Sequence, residues 1–81
     1  MDFDNEILDN FMLDNLFLKI EKFNFDNIFK EQRKITIENF KTKWTITCNF
    51  QTFKIINLNI HYSILFEEKE SVIDFIQCNI L

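Results

Sequence analysis

The sequence predicts an α+β fold, in which a three-stranded antiparallel meander carries an N-terminal and a C-terminal helix packed on one face. Apolar residues recur at helical spacing near both ends of the chain, and they alternate with polar residues over its second half. The chain has 81 residues, which is enough for one domain and too few for two. Residues 1–81 are therefore expected to form a single compact domain.

The first predicted element is a helix over residues 5–22. Asp4 can cap its N-terminus, acids crowd its first turns, and Lys19 and Lys22 lie in its last turn, as the helix dipole favours. Apolar residues occupy nearly all positions outside one polar stripe, and such a wide apolar arc exceeds what one sheet covers. We expect this helix either to be sandwiched inside the domain or to provide a contact surface.

The pattern in residues 23–34 does not decide between structures. Asp26 or Asn27 could cap a short helix that runs to Arg33, and this is the interpretation carried into the predicted fold.

Three strands are predicted next, over residues 35–40, 43–51 and 53–66, from their period-two alternation. Short connections at 39–42 and 51–52 favour an antiparallel meander. Because the chain has no Gly and no Pro, we expect Asn to form the tight turns. The face toward the helices is predicted to carry Ile35, Ile37, Trp44, Ile46, Cys48, Phe50, Ile56, Leu58, Ile60, Tyr62, Ile64 and Phe66. The polar face is predicted to carry Thr45, Thr47, Asn49, Asn57, Asn59, His61 and Ser63.

The last predicted element is a helix near the C-terminal end. Ser71 and Asp74 have the spacing of a capping box, and acids at 67, 68 and 70 precede or open the helix. Its apolar face is predicted to consist of Val72, Ile73, Ile76 and Ile80.

Catalytic chemistry finds no support in the sequence. Without Gly, the chain lacks the loops that cradle phosphates in P-loop and dinucleotide-binding proteins. His61 is the single histidine, and only Glu38 could lie near it, with no nucleophile beside them. Cys48 and Cys78 are expected to be reduced and packed, and no set of four convergent metal ligands is visible. We therefore predict a protein that is not an enzyme and has no catalytic residues, no metal and no cofactor.

The N-terminus is acidic and no run approaches 18 uncharged apolar residues, so neither a secretory signal nor a membrane span is expected. The predicted location is the cytoplasm, without membrane contact. Abundant Ile, Phe, Asn and Lys and the absence of Gly, Pro and Ala are typical of A/T-rich genomes, including those of phages, viruses and mobile elements.

Charge is distributed unevenly along the chain, whose net charge is −4. The ends are acidic, and the candidate partner-binding acids are Asp2, Asp4, Glu6, Asp9, Asp14, Glu67, Glu68, Glu70 and Asp74. The middle is basic, and the alternative contact residues are Lys30, Arg33, Lys34, Lys41 and Lys43. If the two helix starts lie on the same side, the acids would form one patch able to imitate a phosphate backbone.

The leading hypothesis is a small interaction protein, encoded by a phage, virus or mobile element, that binds and inhibits or modulates a host protein or nucleoprotein complex. An anti-defence inhibitor acting through the acidic patches is one form of it. The alternative is a nucleic-acid-binding module that uses residues 30–43. Homodimerisation through the first strand or the first helix is compatible with either.

Overall fold

A computed structural model describes residues 2–81 of the chain, with side chains from residue 5 onward. Two helices pack on one face of a five-stranded antiparallel sheet. The strands lie side by side in the order in which they follow one another in the sequence. The α+β class is confirmed, and the predicted three strands are corrected to five. The elements are α1 (Asp2–Ile20), β1 (Asn27–Glu31), β2 (Lys34–Asn39), β3 (Thr42–Asn49), β4 (Thr52–Asn57), a 3-10 turn (Leu58–Ile60), β5 (Tyr62–Phe66) and α2 (Lys69–Asn79).

The core lies between the two helices and one face of the sheet, because each element buries one apolar side there. Leu13, Leu16 and Ile20 of α1 are buried, and so are Val72 and Ile76 of α2. Ile80 is also buried and Ile73 is partly buried, so the predicted apolar face of the last helix is confirmed. The sheet contributes Ile35, Ile37, Trp44, Ile46, Cys48, Phe53 and Ile55.

The short helix predicted in residues 23–34 is wrong, because residues 27–31 form strand β1. Ile28 lies opposite Ile37 of β2 and packs against the core. Asp26 does not cap a helix: its carboxylate accepts a hydrogen bond from the backbone nitrogen of Phe40 at 3.1 Å. The strand thus satisfies the backbone groups along the edge of β2, which a helix at this place would leave unpaired.

The predicted long strand over residues 53–66 is interrupted. Residues 58–61 form a 3-10 turn and a left-handed residue, and β4 and β5 pair across them with Asn57 opposite Tyr62. The interruption reverses the alternation, because odd-numbered residues point inward in β4 and even-numbered ones in β5.

This reversal corrects the predicted faces. Asn57 is buried rather than on the polar face, and Ile56 is only half-buried, beside Thr45 on the open face. Leu58 and Ile60, predicted to point inward, are exposed in the turn. The inward positions of three other residues, Tyr62, Ile64 and Phe66, are confirmed.

Two hairpin turns have left-handed backbone at both central residues. Phe40 and Lys41 have φ values of 51° and 63°, and Phe50 and Gln51 have values of 49° and 63°. Consecutive positive φ values define the type I′ turn, which favours Asn and Gly. Asn was expected in the turns, but the only other positive-φ residue in the described chain is His61. Phe50 was predicted to point inward and is instead 70% exposed in its turn.

The helix starts also differ from the prediction. The helix α1 begins at Asp2, so Asp4 lies within it, and it ends at Ile20, before Lys22. The helix α2 begins at Lys69 with Glu68 at the N-cap and no side-chain capping bond, so the Ser71 cap is wrong. Neither helix in residues 2–81 combines the length and the apolar character that crossing a bilayer requires.

One buried amide joins three parts of the fold. The side chain of Asn39, at the end of β2, accepts a hydrogen bond from the Asp26 backbone nitrogen at 3.1 Å. Its amide nitrogen donates to the carbonyl oxygen of Ile80 at 2.8 Å. Asn39 therefore ties the entry to β1, the end of β2 and the end of α2 together.

Candidate functional site

The outward side of α1 carries an apolar stripe. Ile7, Phe11 and Leu18 are 55%, 60% and 63% exposed. At about 100° per residue these three positions fall within about 40° of one another, on the side opposite the buried residues of the helix. Leu8, 39% exposed, lies beside them. We call Ile7, Phe11 and Leu18 the α1 stripe.

The α1 stripe decides between the two expectations for the first helix. The helix packs on the sheet with one side only, and no described element of the chain covers the other side. Its excess of apolar residues therefore lies on the surface, where Ile7 and Phe11 are neighbours one turn apart and Leu18 follows two turns later.

The predicted acidic and basic residues meet each other along one flank of α1. Lys30 of β1 pairs with Asp14 at 2.8 Å, and Arg33 of the β1–β2 turn pairs with Glu6. Two acids and two bases assigned to separate contact surfaces are thus engaged with one another within the fold. Such partly exposed pairs contribute at most about 1 kcal/mol each to stability.

Asp9 has a different environment from the other candidate acids. It is 8% exposed, and its carboxylate accepts hydrogen bonds from the backbone nitrogens of Phe50 at 2.9 Å and Gln51 at 2.7 Å. It also accepts one from the Cys48 thiol at 3.6 Å. The carboxylate therefore supplies the acceptors that the β3–β4 turn needs.

Burial raises the pKa of the Cys48 thiol to about 12, and the charge and hydrogen bond of Asp9 act in the same direction. The thiol is consequently neutral at neutral pH, and a neutral thiol is a poor nucleophile and a poor metal ligand. A cavity of about 160 Å³ adjoins the pair. It is lined by Asn5, Glu6, Asp9, Asn10, Arg33, Cys48, Asn49 and Phe50.

The remaining acids lie at the start and in the middle of α2. Glu67, Glu68 and Glu70 precede or open the helix, Asp74 lies in its middle, and all four are exposed. The start of α2 follows β5, whose last residue lies opposite Phe53 near the β3–β4 turn, and Asp9 binds that turn. Both helices therefore begin at the same end of the sheet. The side chains of Asp2 and Asp4 lie outside the described residues.

The remaining bases are dispersed. Lys34 lies 3.9 Å from Glu31, and Lys43 lies opposite Glu38 on the open face of the sheet. Lys41 occupies the exposed β2–β3 turn. The five candidate bases thus lie partly against α1, partly on the open face and partly in a turn.

His61 has a left-handed backbone, with φ of 52°, and is exposed between β4 and β5. It lines a shallow hollow that Lys54 and Ser63 also border. Strands β3 and β4 separate it from Glu38 of β2, so the pairing considered from the sequence does not occur. Among the described residues, no three side chains of the metal-ligating types come together.

Sequence reasoning identified the surplus of apolar surface on the first helix but misread Asp9. The signal available for Asp9 was its position among apolar residues, in the run ILDNFM, on the same side of the helix as Leu13, Leu16 and Ile20. An acid on the buried side of a helix needs partners inside the fold. Comparison of the chain with protein-family models, with curated proteins and with solved structures found no match.

Proposed function

We propose that this protein acts without catalysis, by binding another protein through the α1 stripe. The observation that carries the proposal is the exposure of Ile7, Phe11 and Leu18 on one side of a 19-residue helix whose other side is already buried. Exposed apolar residues that share one side of a helix mark interaction sites more often than scattered apolar residues do.

The mode of binding that fits this surface is a helix lying in an apolar groove. The three side chains of the α1 stripe project at positions i, i+4 and i+11, which is the spacing with which amphipathic helices place anchors into a groove. Burying one such side chain completely stabilises a complex by about 1.5–3 kcal/mol. Phe11 is central in the row and has the largest side chain, so it is expected to contribute most.

Charge defines the partner further. The first 14 residues hold five acids and no base. Asp9 is buried against the β3–β4 turn, whereas the side chains of Glu6 and Asp14 stay 36% and 60% exposed although they pair with Arg33 and Lys30. A groove bordered by Lys and Arg would complement this half of the helix and would be approached faster because of it. Basic grooves of this kind occur in proteins that handle nucleic acids, which favours a nucleoprotein complex of the host as the target.

In this proposal the protein inhibits or modulates that complex by occupying the basic groove. Its residue composition, typical of an A/T-rich genome, supports an origin in a phage, virus or mobile element. Direct nucleic-acid binding through residues 30–43 receives less support, because Lys30 and Arg33 are already paired with acids of α1.

Two matched substitutions test the proposal. Phe11→Asp places a charge in the α1 stripe, and Phe40→Asp makes the same change at a turn residue that is 76% exposed. A photoreactive amino acid at position 7 would report the partner in host lysate. We expect a discrete crosslinked protein with the parent chain and with Phe40→Asp, and its loss with Phe11→Asp, while all variants keep the same circular dichroism spectrum. Equal crosslinking by both variants, or none by the parent chain, would contradict the proposal.

A further inference from the structure

The two edges of the sheet differ in their protection. Strand β1 carries Lys30 and Glu31 among its five residues, and Lys30 is tied to Asp14 of α1. Strand β5, at the opposite edge, has the sequence YSILF and carries no charge. Charged residues on an edge strand discourage pairing with another chain. Strand β1 therefore has this protection against pairing, and strand β5 lacks it.

The outer edge of β5 also lies in apolar surroundings. Leu65 is 62% exposed, and Leu58 and Ile60 of the preceding turn are 77% and 63% exposed. In an antiparallel ladder, alternate residues of β5 direct their backbone N–H and C=O groups toward β4, and the others direct theirs away from the sheet. The edge therefore offers unpaired hydrogen-bonding groups next to exposed apolar side chains.

We propose that β5 pairs antiparallel with β5 of a second copy of this chain, about a two-fold axis at Ile64, so that the two five-stranded sheets become continuous. In this register Ser63 lies opposite Leu65 of the second copy, and Tyr62 lies opposite Phe66 of the second copy. This proposal concerns a surface distinct from the α1 stripe and does not rest on the proposed function.

Charge and pattern favour a second copy as the occupant. Self-pairing of YSILF brings no charged residue into contact with another and removes none from water. It also places aromatic side chains opposite each other on the helix-covered face, where cross-strand aromatic pairs are stabilising. The two-fold axis places Leu65 of each copy beside Ser63 of the other, since an isologous interface uses the same patch twice.

The expected dimer is weak. Five paired residues in each copy bury less than the roughly 800 Å² per partner of standard stable interfaces. We therefore expect a dissociation constant on the order of 10–100 µM, as for transient complexes.

The test uses two double variants that share one substitution. Leu65→Glu is common to both, because in its own chain residue 65 lies opposite Lys54, which tolerates an acid there. In the first variant, Ser63→Glu/Leu65→Glu, position 63 of each copy lies opposite position 65 of the other, so two pairs of carboxylates repel each other across the axis. Its dissociation constant is expected to be about tenfold or more above that of the second variant. That variant, Ser63→Lys/Leu65→Glu, opposes a base and an acid and is expected to restore dimerisation.

Sedimentation equilibrium of the intact chain measures the outcome, and thermal melts monitored by circular dichroism verify that each variant is folded. Phe11→Asp is expected to dimerise as the parent chain does. A parent chain that stays monomeric up to about 1 mM, equal dissociation constants for the two double variants, or loss of the dimer in Phe11→Asp would each overturn the proposal. The last result would assign self-association to α1 instead.

Discussion

The Asp9 carboxylate lies 2.7 Å from the backbone nitrogen of Gln51, which is 42 positions further along the chain. The same carboxylate accepts a hydrogen bond from Phe50, the other central residue of the β3–β4 turn. Both residues have positive φ without being Gly or Asn. A carboxylate from α1 thus stabilises a turn whose own residues are poorly suited to it.

Replacing Asp9 with Asn is expected to lower the free energy of unfolding by about 3 kcal/mol, because the amide loses the charge of the acceptor and places donor hydrogens against the backbone donors of the turn. Urea unfolding at pH 7 measures the change. Asp14→Asn is the matched control: the Asp14 side chain is 60% exposed, and the Lys30 ammonium that it pairs with also donates to the Glu31 carbonyl oxygen, so a loss of about 1 kcal/mol is expected. Losses of equal size in the two variants would show that Asp9 does not hold the turn.

Replacing Phe50–Gln51 with Asn–Gly is expected to stabilise the protein by about 1–2 kcal/mol, because left-handed backbone costs most residues about 1–2 kcal/mol and costs Gly nothing. Thermal unfolding measures the gain. The same replacement at Gln32–Arg33 serves as the comparison: neither residue has a positive φ, and the replacement also removes the ion pair of Arg33 with Glu6, so no gain is expected. A gain at 32–33 that matched the gain at 50–51 would contradict the explanation.

The raised pKa of Cys48 predicts a loss of stability in alkali. The thiol loses its proton near 9.0 in the unfolded chain and near 12 in the folded one. Its contribution to the free energy of unfolding is therefore fully present below pH 9 and is lost as the pH rises from 9 toward 12. Urea unfolding at pH 8 and pH 10.5 should show a larger loss for the parent chain than for Cys48→Ala.

Cys78→Ala provides the comparison for that measurement, because Cys78 is exposed on α2. This variant should lose as much stability between the two pH values as the parent chain does. If Cys48→Ala showed the same pH dependence as the parent, another group would be responsible for it.

The elements that the sequence predicted well are those in which local pattern and tertiary packing agree. Apolar and polar residues alternate without interruption over residues 34–38 and 43–49, and Ile35, Ile37, Trp44 and Ile46 are all buried as expected. The apolar face of α2 was recognised for the same reason. Local spacing is sufficient where every inward position is apolar.

The split between β4 and β5 could not be read from local pattern. All six even-numbered positions from Ile56 to Phe66 are apolar, which is typical of one long strand. Pairing with β3 decides otherwise: Phe53 lies opposite Cys48 and Ile55 opposite Ile46, so Ile56 must point to the open face. Register set by a neighbouring strand outweighs the pattern of the strand itself.

The role of Asp9 was equally hidden from local pattern, because its partners lie 39 to 42 positions away. Strand β1 was missed because its five residues carry only partial alternation and its outer side remains exposed. The exposed apolar surface of α1, in contrast, could be predicted from the sequence. The helix has more apolar residues around its circumference than one buried side can accommodate.

The hydrogen bonds of the Asn39 side chain have a consequence for when the chain can fold during translation. Residues 26 and 39 emerge from the ribosome early, but the Ile80 carbonyl that accepts the Asn39 amide is synthesised 41 positions later. Until then the sheet lacks both this acceptor and the side chains of α2 that complete the core. The nascent domain therefore reaches its native state only after residue 80 has left the exit tunnel, and before that it exposes an incomplete apolar face to chaperones.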